Sequence, residues 1–215
     1  EPISARLMAD LFKPAGAHRL MSVGQHTSQL PGFFDGPVDH LFALPLLVKY
    51  VAETVEDRSL ITVVSPDAGR VRVAERWTDL LGAPLAIIHK RRDPDVPNEA
   101  KVQEVVGEVE GRICVLIDDM IDTGGTIVKA AQALFDNGAK DVVVAATHGI
   151  LSGPAVERFE GSNVREVIVT DTLPIPDDRR FDKLTILPVA PLIARAIQEV
   201  FTDGSVTSMF EGDRV

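Results

Sequence analysis

The chain has 215 residues, 45% hydrophobic and 25% charged, which is enough for one large domain or one domain plus part of another. Its formal net charge of −10 sets the overall field against a nucleic-acid duplex or an anionic membrane surface as partner. No signal-peptide pattern and no apolar run long enough to span a bilayer is seen. In chain order, Glu1-Pro2-Ile3-Ser4 reads as a helix start, with Pro in the first turn, so the sequence looks as if it begins in mid-domain. Leu20 to Val23 is a short apolar segment. Leu60 to Ser65 reads as a strand running into the turn Pro66-Asp67-Ala68-Gly69, followed by a helix through Trp77 to Leu81 and a strand at Leu85 to His89. Trp77 is expected in the core. Cys114, the single cysteine, falls in the apolar run before Asp118, where a half-buried strand residue is expected rather than a nucleophile; a lone thiol fits a reducing cytoplasm.

Ile127, Ala130, Ala131, Leu134 and Phe135 lie at i, i+3, i+4, i+7 and i+8, one face of a helix closed by Asn137-Gly138. Strands are expected at Val142 to Ala146, Glu166 to Thr170 and Leu184 to Val189, and a helix from Pro191 to Phe201. Alternating strands and helices imply an α/β fold, a parallel sheet flanked by helices on both faces, with ligands at the carboxyl ends of the strands.

The most informative stretch is VLIDDMIDTGGTI, residues 115–127, where an apolar run stops at two carboxylates and a Gly/Thr-rich turn leads into the helix. Backbone N–H groups bared by Gly124 and Gly125, with the hydroxyls of Thr123 and Thr126, can hold a phosphate. Carboxylates repel phosphate, so Asp118, Asp119 and Asp122 are expected to accept hydrogen bonds from hydroxyls attached to it. The ligand suggested is a phosphorylated sugar. A Walker A loop fails, since no Lys follows the second Gly.

Gly16-Ala17, Leu20 to Val23 and His26 match Gly138-Ala139, Val142 to Ala146 and His148 at the same spacing, a weak internal repeat that two similar αβ units would also produce. The division expected is 1–46 as the end of a first domain, 47–202 as a complete second one and 203–215 as a tail that packs back through Val206, Met209 and Phe210.

DDMIDTGGT is similar to the sugar-phosphate loop of type I phosphoribosyltransferases. Together with EPISARLMADL, QHTSQLPGFFDGPVDH, VVSPDAGRVRVAE, AIIHKRRD, AATHGILSGPA and VIVTDTLPI, it makes nearly the whole chain resemble the C-terminal two-thirds of the ribose-phosphate pyrophosphokinases, most like the bacterial form. The resemblance implies a type I phosphoribosyltransferase-like fold and Mg²⁺-dependent transfer of the diphosphoryl group of ATP to the anomeric hydroxyl of ribose 5-phosphate. Asp122, Thr123, Gly124, Gly125 and Thr126 would then hold the 5-phosphate, with Asp118 and Asp119 on the ribose hydroxyls. Lys90 and Arg92 match the family's catalytic basic pair at the root of a mobile loop running to about Glu104, with Arg92 also at the sugar phosphate. His26 and Asp67 match metal-associated positions, Asp67 being the firmer choice because Mg²⁺ prefers oxygen. Ser28, Asp39, Ser205 and Thr207 fall where the family binds regulatory ADP or phosphate, near Phe33 and Phe34. His148 is expected to cap a strand end. The family assembles as hexamers built from dimers.

The chain departs from the family at Gly24, where an Asp is typical two residues before the metal-associated His, and in the first-domain sequence that would precede Glu1. Two other readings stand beside the synthetase: a phosphoribosyltransferase, which explains DDMIDTGGT but not GFFDGPVDH or HKRR, and a non-catalytic homologue or fragment that keeps the sugar-phosphate site.

Overall fold

The computed structural model describes residues 4–25, 32–91 and 102–211. Its centre is a seven-stranded sheet in the order β5-β4-β3-β6-β7-β8-β9, formed by Ile61–Ser65 (β3), Leu85–Arg91 (β4), Val102–Val106 (β5), Ile113–Ile121 (β6), Asp141–Gly149 (β7), Glu166–Thr170 (β8) and Leu184–Leu187 (β9). All neighbours are parallel except β4 and β5, which pair antiparallel with Lys90 opposite Gln103. A separate two-stranded parallel sheet joins Leu20–Val23 (β1) to Val38–Leu41 (β2).

Side chains on β6 alternate between two cores, as period-2 geometry requires when both faces are covered. Cys114 and Leu116 enter one core with Ile127, Ala130, Ala131 and Leu134 of Gly125–Asp136 (α4) and with Ala155 and Phe159 of Ala155–Glu160 (α5). Ile113, Val115 and Ile117 enter the other with Leu44, Leu47, Val48 and Val51 of Leu44–Thr54 (α2) and with Ala74 and Trp77 of Val71–Leu81 (α3). Trp77 and Cys114 are core residues, and burial pushes the Cys114 thiol up to about 12, far from nucleophilic use at neutral pH.

The structure differs from the sequence reading in three places. The sequence reading assigned no strand at β2 or β5, because Val38-Asp39-His40-Leu41 carries two polar residues and the β5 run is too short and mixed for an alternating signal. β5 also moves the end of the expected loop: 102–104 are strand rather than loop, leaving 92–101 outside the described residues. Finally, β6 does not stop at the acid pair but continues through Ile121, with Met120 opposite His148 and Ile121 opposite Gly149.

Below the small sheet, Leu41 packs with Ala196 of Ala190–Phe201 (α6) and with Val206 and Met209, the latter on Ser208–Glu211 (α7). The small sheet meets the large one at Gly24. There φ is +62°, and a β-carbon would lie 2.6 Å from Thr147 Cγ2 and 3.0 Å from His148 Nε2. The Gly24 carbonyl oxygen accepts from His148 Nε2–H at 2.8 Å, while His148 Nδ1 pairs with Thr172 Oγ1 at 2.7 Å. His148 thus bridges the sheets as well as ending a strand. Gly24→Ala combines a left-handed backbone with a steric overlap and is expected to cost about 2 kcal/mol or more of unfolding free energy in urea; a change within about 0.5 kcal/mol would contradict this packing.

Candidate sugar-phosphate site

The carboxyl edge of the large sheet gathers the residues singled out by motif. Residues 113–117 of β6 are fully buried, and the strand then leaves the cover of the helices, so Asp118 and Asp119 emerge half-buried at the edge. Arg70 reaches them from the end of the 3₁₀ turn Ala68–Arg70, its Nη2 2.7 Å from Asp119 Oδ1 and its Nε 3.7 Å from Asp118 Oδ1. The Asp119 amide donates to Asp118 Oδ1 at 2.8 Å and the Met120 amide to Asp119 Oδ1 at 3.1 Å. These bonds orient the two carboxyl groups, and the Arg70 guanidinium lies against both. Burial, reinforced by the neighbouring Asp119 carboxyl, pushes the Asp118 carboxyl up to about 7 against the opposing pull of Arg70.

The turn that follows is held from outside. Gly124 sits at φ +70°, and a β-carbon there would lie 2.9 Å from Phe159 Cε2, so the position requires glycine on two grounds. The Val128 amide donates to the Gly124 carbonyl at 2.9 Å, which makes Gly125, Thr126 and Ile127 the first turn of α4. Their N–H groups have no acceptor within the helix, and the dipole adds positive potential there. Thr123 and Thr126 are exposed at the same place. Asp122 is tied down by Ser152, whose Oγ donates to Asp122 Oδ1 and whose amide donates to the Asp122 carbonyl at 3.0 Å. Arg158 Nη1 donates to the Thr123 carbonyl oxygen at 2.8 Å. An acid pair and a helix N-terminus with unpaired intrahelical N–H groups therefore stand one after the other along a single strand-turn-helix unit.

Asp67 begins the Ala68–Arg70 turn: its Oδ1 accepts from the Gly69 amide at 2.8 Å, and its carbonyl oxygen accepts from Ser65 Oγ at 2.7 Å. The bond from Gly69 makes Asp67 a turn residue and also fixes its carboxylate at the sheet edge. Among the described residues, no three His, Cys, Asp or Glu side chains converge on a common metal position. The Lys90 backbone lies in β4, while its side chain and all of Arg92, His26 and Ser28 lie outside the described residues. Asp39, on β2, is engaged by Arg19, whose Nη2 donates to Asp39 Oδ1 at 2.9 Å. Ser205 Oγ accepts from the Ser208 amide at 3.3 Å, and Thr207 lies in the same turn before α7. Phe34 is buried.

Sequence reasoning missed Arg70, Ser152 and Arg158. Arg70 lies inside VVSPDAGRVRVAE, yet nothing in the spacing separates it from Arg72. Ser152 and Arg158 act on the turn from about 30 residues downstream, a distance at which no local pattern speaks.

Because the folded state holds a proton on Asp118 more tightly than the usual value near 3.8, ionising it opposes folding as pH rises from about 4 to about 7, and the penalty is constant above that. Asp118→Asn removes the penalty. Relative to the unaltered chain, the variant is expected to gain about 2 kcal/mol in urea unfolding between pH 5 and pH 8; an equal difference at both pH values would contradict the shift.

Comparison with known proteins agrees with this geometry. Residues 94–211 match the family model described as phosphoribosyl synthetase-associated domain. Among curated proteins, the chain is 67% identical over 211 residues to the ribose-phosphate pyrophosphokinase of Streptomyces coelicolor, covering 98% of this chain and 65% of that protein. It is 58% identical over 214 residues to the protein of the same name from Mycobacterium tuberculosis, covering 99% and 65%. Among solved structures, phosphoribosylpyrophosphate synthetase from Mycobacterium smegmatis superposes with a TM-score of 0.86 at 56% identity, over 95% of this chain and 65% of that one. The chain thus spans just under two-thirds of the length of each of these relatives. With the acid pair, the glycine turn and the parallel sheet all in place, the chain belongs to the phosphoribosyl synthetase-associated domain family.

Proposed function

We propose that this chain binds ribose 5-phosphate at the carboxyl edge of its large sheet and takes part in transfer of the diphosphoryl group of ATP to the anomeric hydroxyl, giving phosphoribosyl pyrophosphate and AMP. One observation carries the reading: the left-handed Gly124 turn at the start of α4 follows the Asp118-Asp119 pair by five residues, so helix N-terminal donors and hydroxyl acceptors lie on one strand-turn-helix unit. In this reading, the 5-phosphate sits on the N–H groups and hydroxyls of residues 123–126, and Asp118 and Asp119 accept hydrogen bonds from the ribose hydroxyls. The anomeric oxygen attacks the β-phosphorus of ATP. A new O–P bond forms, the bond from that phosphorus to the oxygen of the α-phosphate breaks, AMP departs and the hydroxyl proton is lost. A protein serves such a transfer chiefly by aligning the groups and neutralising charge. Lys90 and Arg92 are assigned that neutralisation.

Mg²⁺ belongs to the same proposal. No three His, Cys, Asp or Glu side chains converge among the described residues, but Asp67 offers carboxylate oxygen, and Mg²⁺ arriving with a triphosphate needs only one or two protein carboxylates besides water. When bound, it supplies further neutralisation of the phosphate oxygens. His26 is assigned to the same region. The division at 46 and 202, regulation by ADP or phosphate through Ser28, Asp39, Ser205 and Thr207, a cytoplasmic location and homo-oligomeric assembly complete the reading. Leu7, Met8 and Leu11 on Ser4–Phe12 (α1), together with Phe201 at 85% exposure, offer apolar surface suited to a protein contact.

Release of AMP from ATP and Mg²⁺ on addition of ribose 5-phosphate tests the reaction. Lys90→Ala is expected to lower that rate about 10²- to 10³-fold while leaving sugar-phosphate affinity nearly unchanged; lost affinity with turnover intact would contradict the assigned role. Asp118→Ala and Asp122→Ala are each expected to weaken ribose 5-phosphate binding at least tenfold, and unaltered affinity in both would remove the sugar site from this edge.

A further inference from the structure

Resting on the ribose 5-phosphate reading, we infer that Arg158 of α5 is a positioning residue for the phosphate turn: its guanidinium orients the Thr123–Gly124 peptide so that the Gly124 N–H is presented to the phosphate. The described peptides are all trans, and in a trans peptide the C=O and the following N–H point in opposite directions. Arg158 Nη1 holds the Thr123 carbonyl oxygen at 2.8 Å, which turns the Gly124 N–H away from α5. The opposite flip of that peptide would bring the Thr123 carbonyl dipole around toward a bound phosphate and repel it.

α5 seats the turn by two consecutive residues. Phe159, fully buried and stacked on Phe181 with ring centres 5.8 Å apart, fills the space beneath Gly124. Arg158, exposed beside it, closes on the turn from the solvent side. A third residue links the two elements. A β-carbon at Gly125 would lie 3.0 Å from Arg158 Nη1, 3.4 Å from its Cζ and 3.9 Å from its Nη2, so the three nearest atoms all belong to the Arg158 guanidinium. Gly125 has an ordinary helical backbone, with no positive φ that would demand glycine. Its missing side chain therefore leaves room for the Arg158 guanidinium at the turn. A methyl group there would crowd the guanidinium and make it give by a few tenths of an ångström, loosening its hold on the Thr123 carbonyl without removing the charge.

This supplies a test that separates positioning from simple attraction. Arg158→Ala, Gly125→Ala and the double variant are compared with the unaltered chain by calorimetric titration with ribose 5-phosphate and with inorganic phosphate. The Gly124 amide proton shift on phosphate addition is followed by NMR, and urea unfolding verifies that each variant folds. Each single change is expected to weaken both ligands about tenfold, the scale of one hydrogen bond to a charged group. Because both changes break the same contact, the double variant is expected to be no weaker than either single one, and the ligand-induced Gly124 shift is expected to shrink in all three. Losses that multiply in the double variant, a Gly125→Ala variant with unchanged affinity, or a Gly124 shift that persists in Arg158→Ala would each overturn the inference while leaving the sugar site standing. Absence of saturable ribose 5-phosphate binding by the unaltered chain would overturn the site and this inference together.

Discussion

Two adjacent carboxylates at the open end of a buried strand set the terms for the rest of this molecule. Like charges in neighbouring positions of one strand cannot both be comfortable at a half-buried edge unless cations or hydrogen-bond donors answer them. Arg70 answers from a turn that Asp67 initiates, while burial and the neighbouring Asp119 carboxyl push the Asp118 carboxyl up to about 7. Carboxylates in this position can accept hydrogen bonds from the hydroxyl groups of a sugar or face a hydrated Mg²⁺. The turn that follows is the complement, offering N–H donors and the positive end of the α4 dipole. A ligand with hydroxyls at one end and phosphate at the other satisfies both halves at once.

Much of this was legible in the sequence where the signal is local. β8 falls at its expected residues, and α4 extends the expected face by one or two residues at each end, because apolar periodicity and the Asn137-Gly138 stop act over a few residues. Placement of residues 118–126 at one strand-turn-helix unit followed from the same kind of reasoning, since the apolar run, the acids and the glycines are contiguous. The parts that were missed depend on distant partners. β5 exists because it pairs with β4, and β2 because it pairs with β1 and buries its own Leu41 against α6 and α7; neither is written in its own residue pattern. Likewise, Ser152 and Arg158 gain their roles at residues 122–123 only once α5 lies under the turn, and Arg70 gains its own only when β3 and β6 become neighbours.

Gly24 illustrates how a departure from a family pattern can carry structural content. Read in sequence, it is a carboxylate replaced by nothing. In the folded chain, the absence of a side chain is what lets the end of the small sheet press against Thr147 and receive the His148 N–H on its carbonyl. The small sheet is thereby registered against β7, one strand away from the acid pair on β6. Whatever binds at the edge meets a floor made by two sheets joined through one glycine.

The central claim is that the acid pair and the glycine turn act on one ligand, and its most direct test is calorimetric titration of the unaltered chain with ribose 5-phosphate, ribose and inorganic phosphate in separate runs. The expected result is saturable one-to-one binding of ribose 5-phosphate, tighter than either part alone by at least about tenfold, since both halves of the site then contribute. Equal affinity for inorganic phosphate and ribose 5-phosphate would mean that the acid pair takes no part in holding the sugar, and the account of this edge would be wrong.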